Sequence, residues 1–191
     1  MKVVTAFMIA GSLPLAAHAA DHPASPAWAR ARQLNERLLA GTTATATLRQ
    51  WCADHGIADP TIHADVLKVA APRATAAQRH ALQVDDQEPL GYRRVRLMCG
   101  SHVLSEAENW YVPARLTDAM NTLLAASDTP FGTVVAPLRV TRRNLAAEML
   151  WRHGDTPPPA LFRHRALVLD ASGRPIAEVV ETYQRAAIEL P

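Results

Sequence analysis

The chain has 191 residues, 49% of them hydrophobic and 20% charged, with a formal net charge of +2. That length suits one globular domain with a real core, and so small a charge argues against a nucleic-acid partner. Arginines outnumber lysines eighteen to two, and arginine is the side chain suited to bidentate carboxylate recognition.

The N-terminus reads as an address label. Lys2 supplies the positive charge, residues 3–15 are mostly apolar, and Ala17-His18-Ala19 is a small-x-small cleavage site. The expectation is a signal peptide over 1–20 and one domain over 21–191. The apolar run is too short to span a bilayer, so no stable membrane insertion is expected. A leader cleaved near Ala19-Ala20 implies a periplasmic or secreted protein; a retained leader implies a cytoplasmic one.

Residues 28–40, with Leu34, Leu38 and Leu39, suggest an amphipathic helix ended by Gly41. The threonine-rich link 42–47 can cap a second helix over 48–55, which stops at Gly56. Residues 62–69 have strand character, and 73–86 are polar, a loop or a short helix.

Alternation over 93–99 predicts a strand. Arg93, Val95, Leu97 and Cys99 share one face, and Arg94, Arg96 and Met98 the other. A cation in an apolar row is costly unless paired, so Arg93 calls for an anionic partner. Gly100-Ser101-His102 reads as a turn into a strand over 103–112, stopped by Pro113. A helix over 116–126 and a break over 127–132 follow. Residues 134–140 resemble another strand, 144–151 a weak helix, and 154–159 a proline-rich loop. The last unit is a hairpin: strands over 165–170 and 175–186, joined by Ala171-Ser172-Gly173.

In that final strand Glu181 lies in an apolar row with Ala177, Val179 and Tyr183, while Glu178 shares the other face with Ile176, Val180 and Thr182. Glu181 is thus the natural counterpart of Arg93, in a pocket or as a structural ion pair. Cys52 and Cys99 make an even count, read as one disulfide or two buried thiols. The eight histidines are dispersed without HExxH spacing, so no metal site is expected, nor a nucleophile elbow.

The order Arg-x-Val-x-Leu, a turn, a strand ending Val112-Pro113, a helix and Thr129-Pro130-Phe131-Gly132 resembles the chorismate lyase family. Thr141-Arg142, the Gly173-Arg174-Pro175 hairpin and Glu181-Thr182-Tyr183 extend the likeness, which covers about 38–187. The resemblance implies an α+β fold: an antiparallel sheet of about six strands with helices on one face enclosing a ligand pocket. It is shared by ligand-sensing domains of some transcription regulators.

What the resemblance implies for function is a chorismate pyruvate-lyase, which eliminates pyruvate from chorismate to leave 4-hydroxybenzoate and needs no cofactor. Arg93 is expected to hold the ring carboxylate and Glu181 to meet the 4-hydroxyl or the reacting carbons, as the catalytic pair. Phe131 through its N–H, Ala44 and Thr45 in the flap, and Arg142 are expected to line the substrate site. Glu108-Asn109 departs from the family's Gly-Arg and removes one cation for the second carboxylate; Glu178 is a rival for the acidic role. The alternative is a non-catalytic periplasmic binding protein for a small aromatic carboxylate. A monomer is expected in either case.

Overall fold

The computed structural model describes residues 25–56 and 59–189; the expected signal peptide lies outside them. Helix α1 (Pro26–Ala40) starts where Ser25 accepts a hydrogen bond from the Trp28 N–H at 3.2 Å, and Pro26 needs no donor in the first turn. Its buried residues Ala31, Leu34 and Leu38 follow helical spacing. Helix α2 (Ala44–Asp54) is capped by Thr43, whose Oγ1 accepts from the Ala46 N–H. It begins four residues earlier than the sequence suggests, so Ala44 and Thr45 form its first turn instead of part of the link before it.

Six strands follow: β1 (Ile62–Leu67), β2 (Gly91–Cys99), β3 (His102–Tyr111), β4 (Thr141–Met149), β5 (Ala160–Leu169) and β6 (Pro175–Gln184). They form one antiparallel sheet in the order β1-β2-β3-β6-β5-β4. The short helix α3 (Ala76–Leu82) separates β1 from β2 and carries a capping box between Thr75 and Gln78. Helices α4 (Asp118–Ala126) and α5 (Phe131–Val134) separate β3 from β4.

Two elements differ in kind from the sequence reading, and β5 begins five residues before the strand expected from 165. Residues 134–140 form the end of α5 and a 3₁₀ turn, Ala136–Leu138, not a strand. Pro137 has no N–H for a ladder, Arg139 adopts a left-handed backbone, and buried Val134 and Val135 pack beside Met120 and Leu124. Residues 144–151, of helical composition, lie mostly in edge strand β4, because pairing with β5 supplies the backbone bonds that propensity alone does not decide. The sheet still has six strands, with 141–149 replacing 134–140.

Pairing aligns one face of the sheet across its width. Arg93 lies opposite Asn109 and Val95 opposite Ala107; Asn109 then lies opposite Val179, and Ala107 opposite Glu181. Helices α1 and α2 cover one half of this face around Leu34, Leu48, Trp51 and Leu97, and α4 and α5 cover the other around Phe131, Ala177 and Val179. The opposite face is covered at one end by α3, through Leu82, Trp110 and Leu167. Elsewhere it carries half-exposed charge, such as Arg96 between Asp65 and Glu106 at 3.5 Å from each.

Cys52 on α2 and Cys99 on β2 form a disulfide with their Cα atoms 6.6 Å apart, so the α1–α2 hairpin is tied covalently to the sheet. Trp51 reinforces the tie by donating its indole N–H to the Ala187 carbonyl at 2.7 Å. No described helix is long and apolar enough to cross a membrane.

Candidate functional site

Between the sheet and its roof lies a cavity. Its floor is Val95, Leu97, Ala107, Asn109, Val168, Val179, Arg142 and Glu181; its roof is the segment 42–45 and the start of α5, Phe131 and Gly132. The centre of a water-sized sphere has about 30 Å³ to move in, room for roughly two waters. The lining is mainly apolar with a few polar groups, the usual make-up of a small-molecule site.

The charged part is one compact group. Arg142 on β4 reaches across β5 to β6, placing Nη2 2.7 Å from Oε2 of Glu181; the two side chains are only 4% and 7% exposed. The Tyr183 hydroxyl donates to the same oxygen at 3.0 Å. The Arg142 Nε–H donates to Asn144 Oδ1 at 2.9 Å, and Asn144 in turn donates to the Leu39 carbonyl, so α1 orients the cation from behind. Burial opposes the charge of Arg142, but Glu181 and Tyr183 more than offset it, and its pKa stands above the ordinary guanidinium value. Burial and the neighbouring Glu181 carboxylate push the Tyr183 phenol well above its usual range, keeping it a neutral donor.

His164 lies opposite Glu181 in the β5–β6 pairing and is fully buried. Its Nε2 is 2.7 Å from Asn35 Oδ1, and its ring meets those of Phe162 and Tyr183. Burial lowers its pKa to about 4, with Glu181 opposing and Arg142 assisting, so at neutral pH it is an uncharged packing group beneath the ion pair.

Arg93 has a different place from the one its sequence position suggests. Its Nη1 and Nη2 donate to the carbonyls of Thr129 (3.0 Å) and Ser127 (2.7 Å), and it does not line the cavity. The anionic partner expected for it is supplied by these carbonyl dipoles. Burial lowers its pKa, with Tyr111 and Asp128 opposing. Arg93 and Glu181 are not on adjacent strands, because β3 runs between β2 and β6; the carboxylate belongs to Arg142. Arg93 instead fixes the α4–α5 turn, and with it the part of the roof that contains Phe131.

Of the residues singled out in the sequence, Ala44, Thr45, Phe131, Arg142 and Glu181 meet at the cavity, while Arg93 does not. Glu178 falls on the opposite face, buried against Arg165 at 3.3 Å, as alternation along β6 requires. Asn109 sits in the cavity wall in the strand position where the likeness led to an arginine. Gly132 sets the thickness of the roof: a Cβ there would stand 2.9 Å from Thr45 Oγ1 and 3.3 Å from Thr43 Cβ. Among the described residues no group of three or more His, Cys, Asp and Glu side chains is placed to hold a metal.

A six-stranded antiparallel sheet roofed by helices over a small cavity defines an α+β domain of the chorismate lyase-like fold. The structure superposes on the effector domain of PhnF from Mycobacterium smegmatis with TM-score 0.55 at 10% identity, covering 75% of this chain and 88% of that one. Full-length PhnF gives the same score and identity, again over 75% of this chain. A possible transcriptional regulator, YydK from Bacillus subtilis subsp. subtilis str. 168, gives 0.45 at 13% identity over 64% of this chain. The chain spans less than two thirds of those two longer proteins, 64% of PhnF and 58% of YydK.

No protein-family model matches the chain. It belongs to the family of the uncharacterized protein y4mC of Sinorhizobium fredii (strain NBRC 101917 / NGR234). The two are 40% identical over 177 residues, covering 83% of this chain and 75% of that protein.

Proposed function

We propose that this domain is a non-catalytic binding module for a small aromatic carboxylate, held between the sheet and the roof of α2 and α5. The observation that carries the reading is the buried Arg142–Glu181–Tyr183 group in the wall of an otherwise apolar cavity. The Arg142 guanidinium, held in place by Glu181, can donate to the carboxylate of a bound acid. Asn109 and Thr45 add polar contacts around the ring, whose faces meet Val95, Val179 and Phe131. Arg142 is the one cation among the described lining residues and is already opposed by Glu181, which favours one carboxylate over two in this cavity. The PhnF structure supports the reading as an effector domain. With room for about two waters, the roof has to lift for entry, so binding is coupled to movement of α2 and α5 against the sheet.

A second reading, chorismate pyruvate-lyase, is favoured by one feature: Glu181 presents a carboxylate beside an arginine inside a roofed cavity. The elimination aromatises the ring, so a held substrate and polar stabilisation are what such a site has to provide.

The test is calorimetry and thermal melting with 4-hydroxybenzoate, beside incubation with chorismate while pyruvate is followed. Saturable binding that is lost in Arg142→Gln, without pyruvate release, supports the binding module. Equimolar pyruvate and 4-hydroxybenzoate would establish the lyase. No binding of 4-hydroxybenzoate or plain benzoates, together with no turnover of chorismate, would sink both readings.

A further inference from the structure

Against the same roof residues lies a second and wider recess of about 230 Å³. It is lined by 42–43, 45–46, Arg49, Gly132, Thr133, Ala136, Arg139 and Val140, and shares Thr42, Thr43, Thr45 and Gly132 with the inner cavity. The same thin wall therefore closes both spaces, and a molecule entering past it would touch each in turn. No acidic residue lines this recess. Arg49 follows Thr45 by one turn on the same side of α2, and Arg139 comes from the turn after the 3₁₀ segment Ala136–Leu138. Both are exposed, and neither guanidinium has an ion pair or hydrogen bond among the described residues.

The backbone at Arg139 is left-handed, φ 50° and ψ 50°, a conformation that residues other than glycine, asparagine and aspartate seldom adopt. Glycine would suit that backbone better. The same conformation ends α3 at Gln83, so at Arg139 it caps the 3₁₀ turn and fixes where the arginine leaves the backbone.

We propose that Arg49 and Arg139 form an outer anion subsite, contiguous with the inner cavity, that takes a second, oxyanionic group of the ligand. The inference rests on the binding reading above and extends it. The ligand class becomes an aromatic acid bearing a pendant carboxylate or phosphate, with the ring acid inside and the second anion at the mouth. Two arginines with no acidic neighbour in the recess supply the charge-assisted donors such a group needs, and their exposure makes the gain sensitive to salt.

The experiment compares three probes on the purified full chain: 4-methoxybenzoate, 4-(carboxymethoxy)benzoate and 4-carboxyphenyl phosphate. At low salt the two doubly anionic probes are expected to bind roughly tenfold tighter than 4-methoxybenzoate, an advantage that shrinks at high ionic strength. The phosphate and carboxylate arms decide which oxyanion is preferred. In Arg49→Gln/Arg139→Gln the advantage should vanish while 4-methoxybenzoate binds as before. Equal binding of all three probes, or an advantage that survives the double substitution, overturns the subsite. If no probe binds, the inner-cavity reading has failed, and titration with inorganic phosphate followed by arginine side-chain NMR decides the subsite separately. A saturable shift lost in the double variant supports it; no shift overturns it.

Discussion

Arg142 and Glu181 meet at 2.7 Å across the strand between them, both almost wholly buried. Such a pair gains strong attraction in the interior but has to repay the desolvation of two charges. Removing only the cation is therefore expected to be worse than removing both. Arg142→Leu should cost about 3–5 kcal/mol in urea unfolding. The double change Arg142→Leu/Glu181→Leu should recover most of that. A double variant as unstable as the single would mean that the pair is worth more than its desolvation.

Arg93 holds the carbonyls of Ser127 and Thr129. Each hydrogen bond from a charged donor contributes about 1.5–3 kcal/mol, so Arg93→Ala should cost about 2–4 kcal/mol, one carbonyl remaining free to find water. Amide exchange should accelerate first around 127–131. Direct loss of ligand contact, with local stability unchanged, would restore Arg93 to the binding site.

Gly132 packs directly against Thr43 and Thr45 at the start of α2. Gly132→Ala places a methyl group 2.9 Å from Thr45 Oγ1, closer than real contacts allow, and overpacking of this kind costs about 1–3 kcal/mol. Thr45→Ala in the same chain should relieve it. Melting curves of the single and double variants test the coupling, which fails if their effects simply add.

His164 makes stability depend on pH. Its folded pKa is about 4 against 6.5 for the unfolded side chain, so between these values the unfolded chain binds the extra proton. This contribution is complete above pH 6.5 and is lost as pH falls towards 4. Between pH 7 and 5 the loss amounts to about 2 kcal/mol. His164→Gln, though less stable at pH 7, should show a correspondingly flatter profile over that interval. A parallel profile would assign the acid sensitivity to other groups.

The Cys52–Cys99 disulfide closes a loop with a sequence separation of 47, for which the chain-entropy relation gives about 4 kcal/mol. Cys52→Ala/Cys99→Ala should lose about that much in urea, with α2 exchanging amides faster than β3. A loss below about 1 kcal/mol would mean that Trp51 and the surrounding core hold α2 down unaided.

The faces of β2 and β6 were legible in the sequence, because period-2 alternation is a local property. Arg93 and Glu181 in apolar rows, Glu178 on the far side and the two N-terminal helices all follow from spacing along the chain. The elements misread were 134–140 and 144–151, whose local preferences yield to packing against α4 and to an edge pairing with β5. Strand order was the larger gap. The partner of a buried charge depends on which strands become neighbours, and with β3 lying between β2 and β6, Glu181 falls within reach of Arg142 from β4. Sequence thus determined that these buried charges needed partners, since burial without pairing is prohibitively costly. Only the tertiary structure decided who the partners were, because register and strand order bring together residues far apart in the chain.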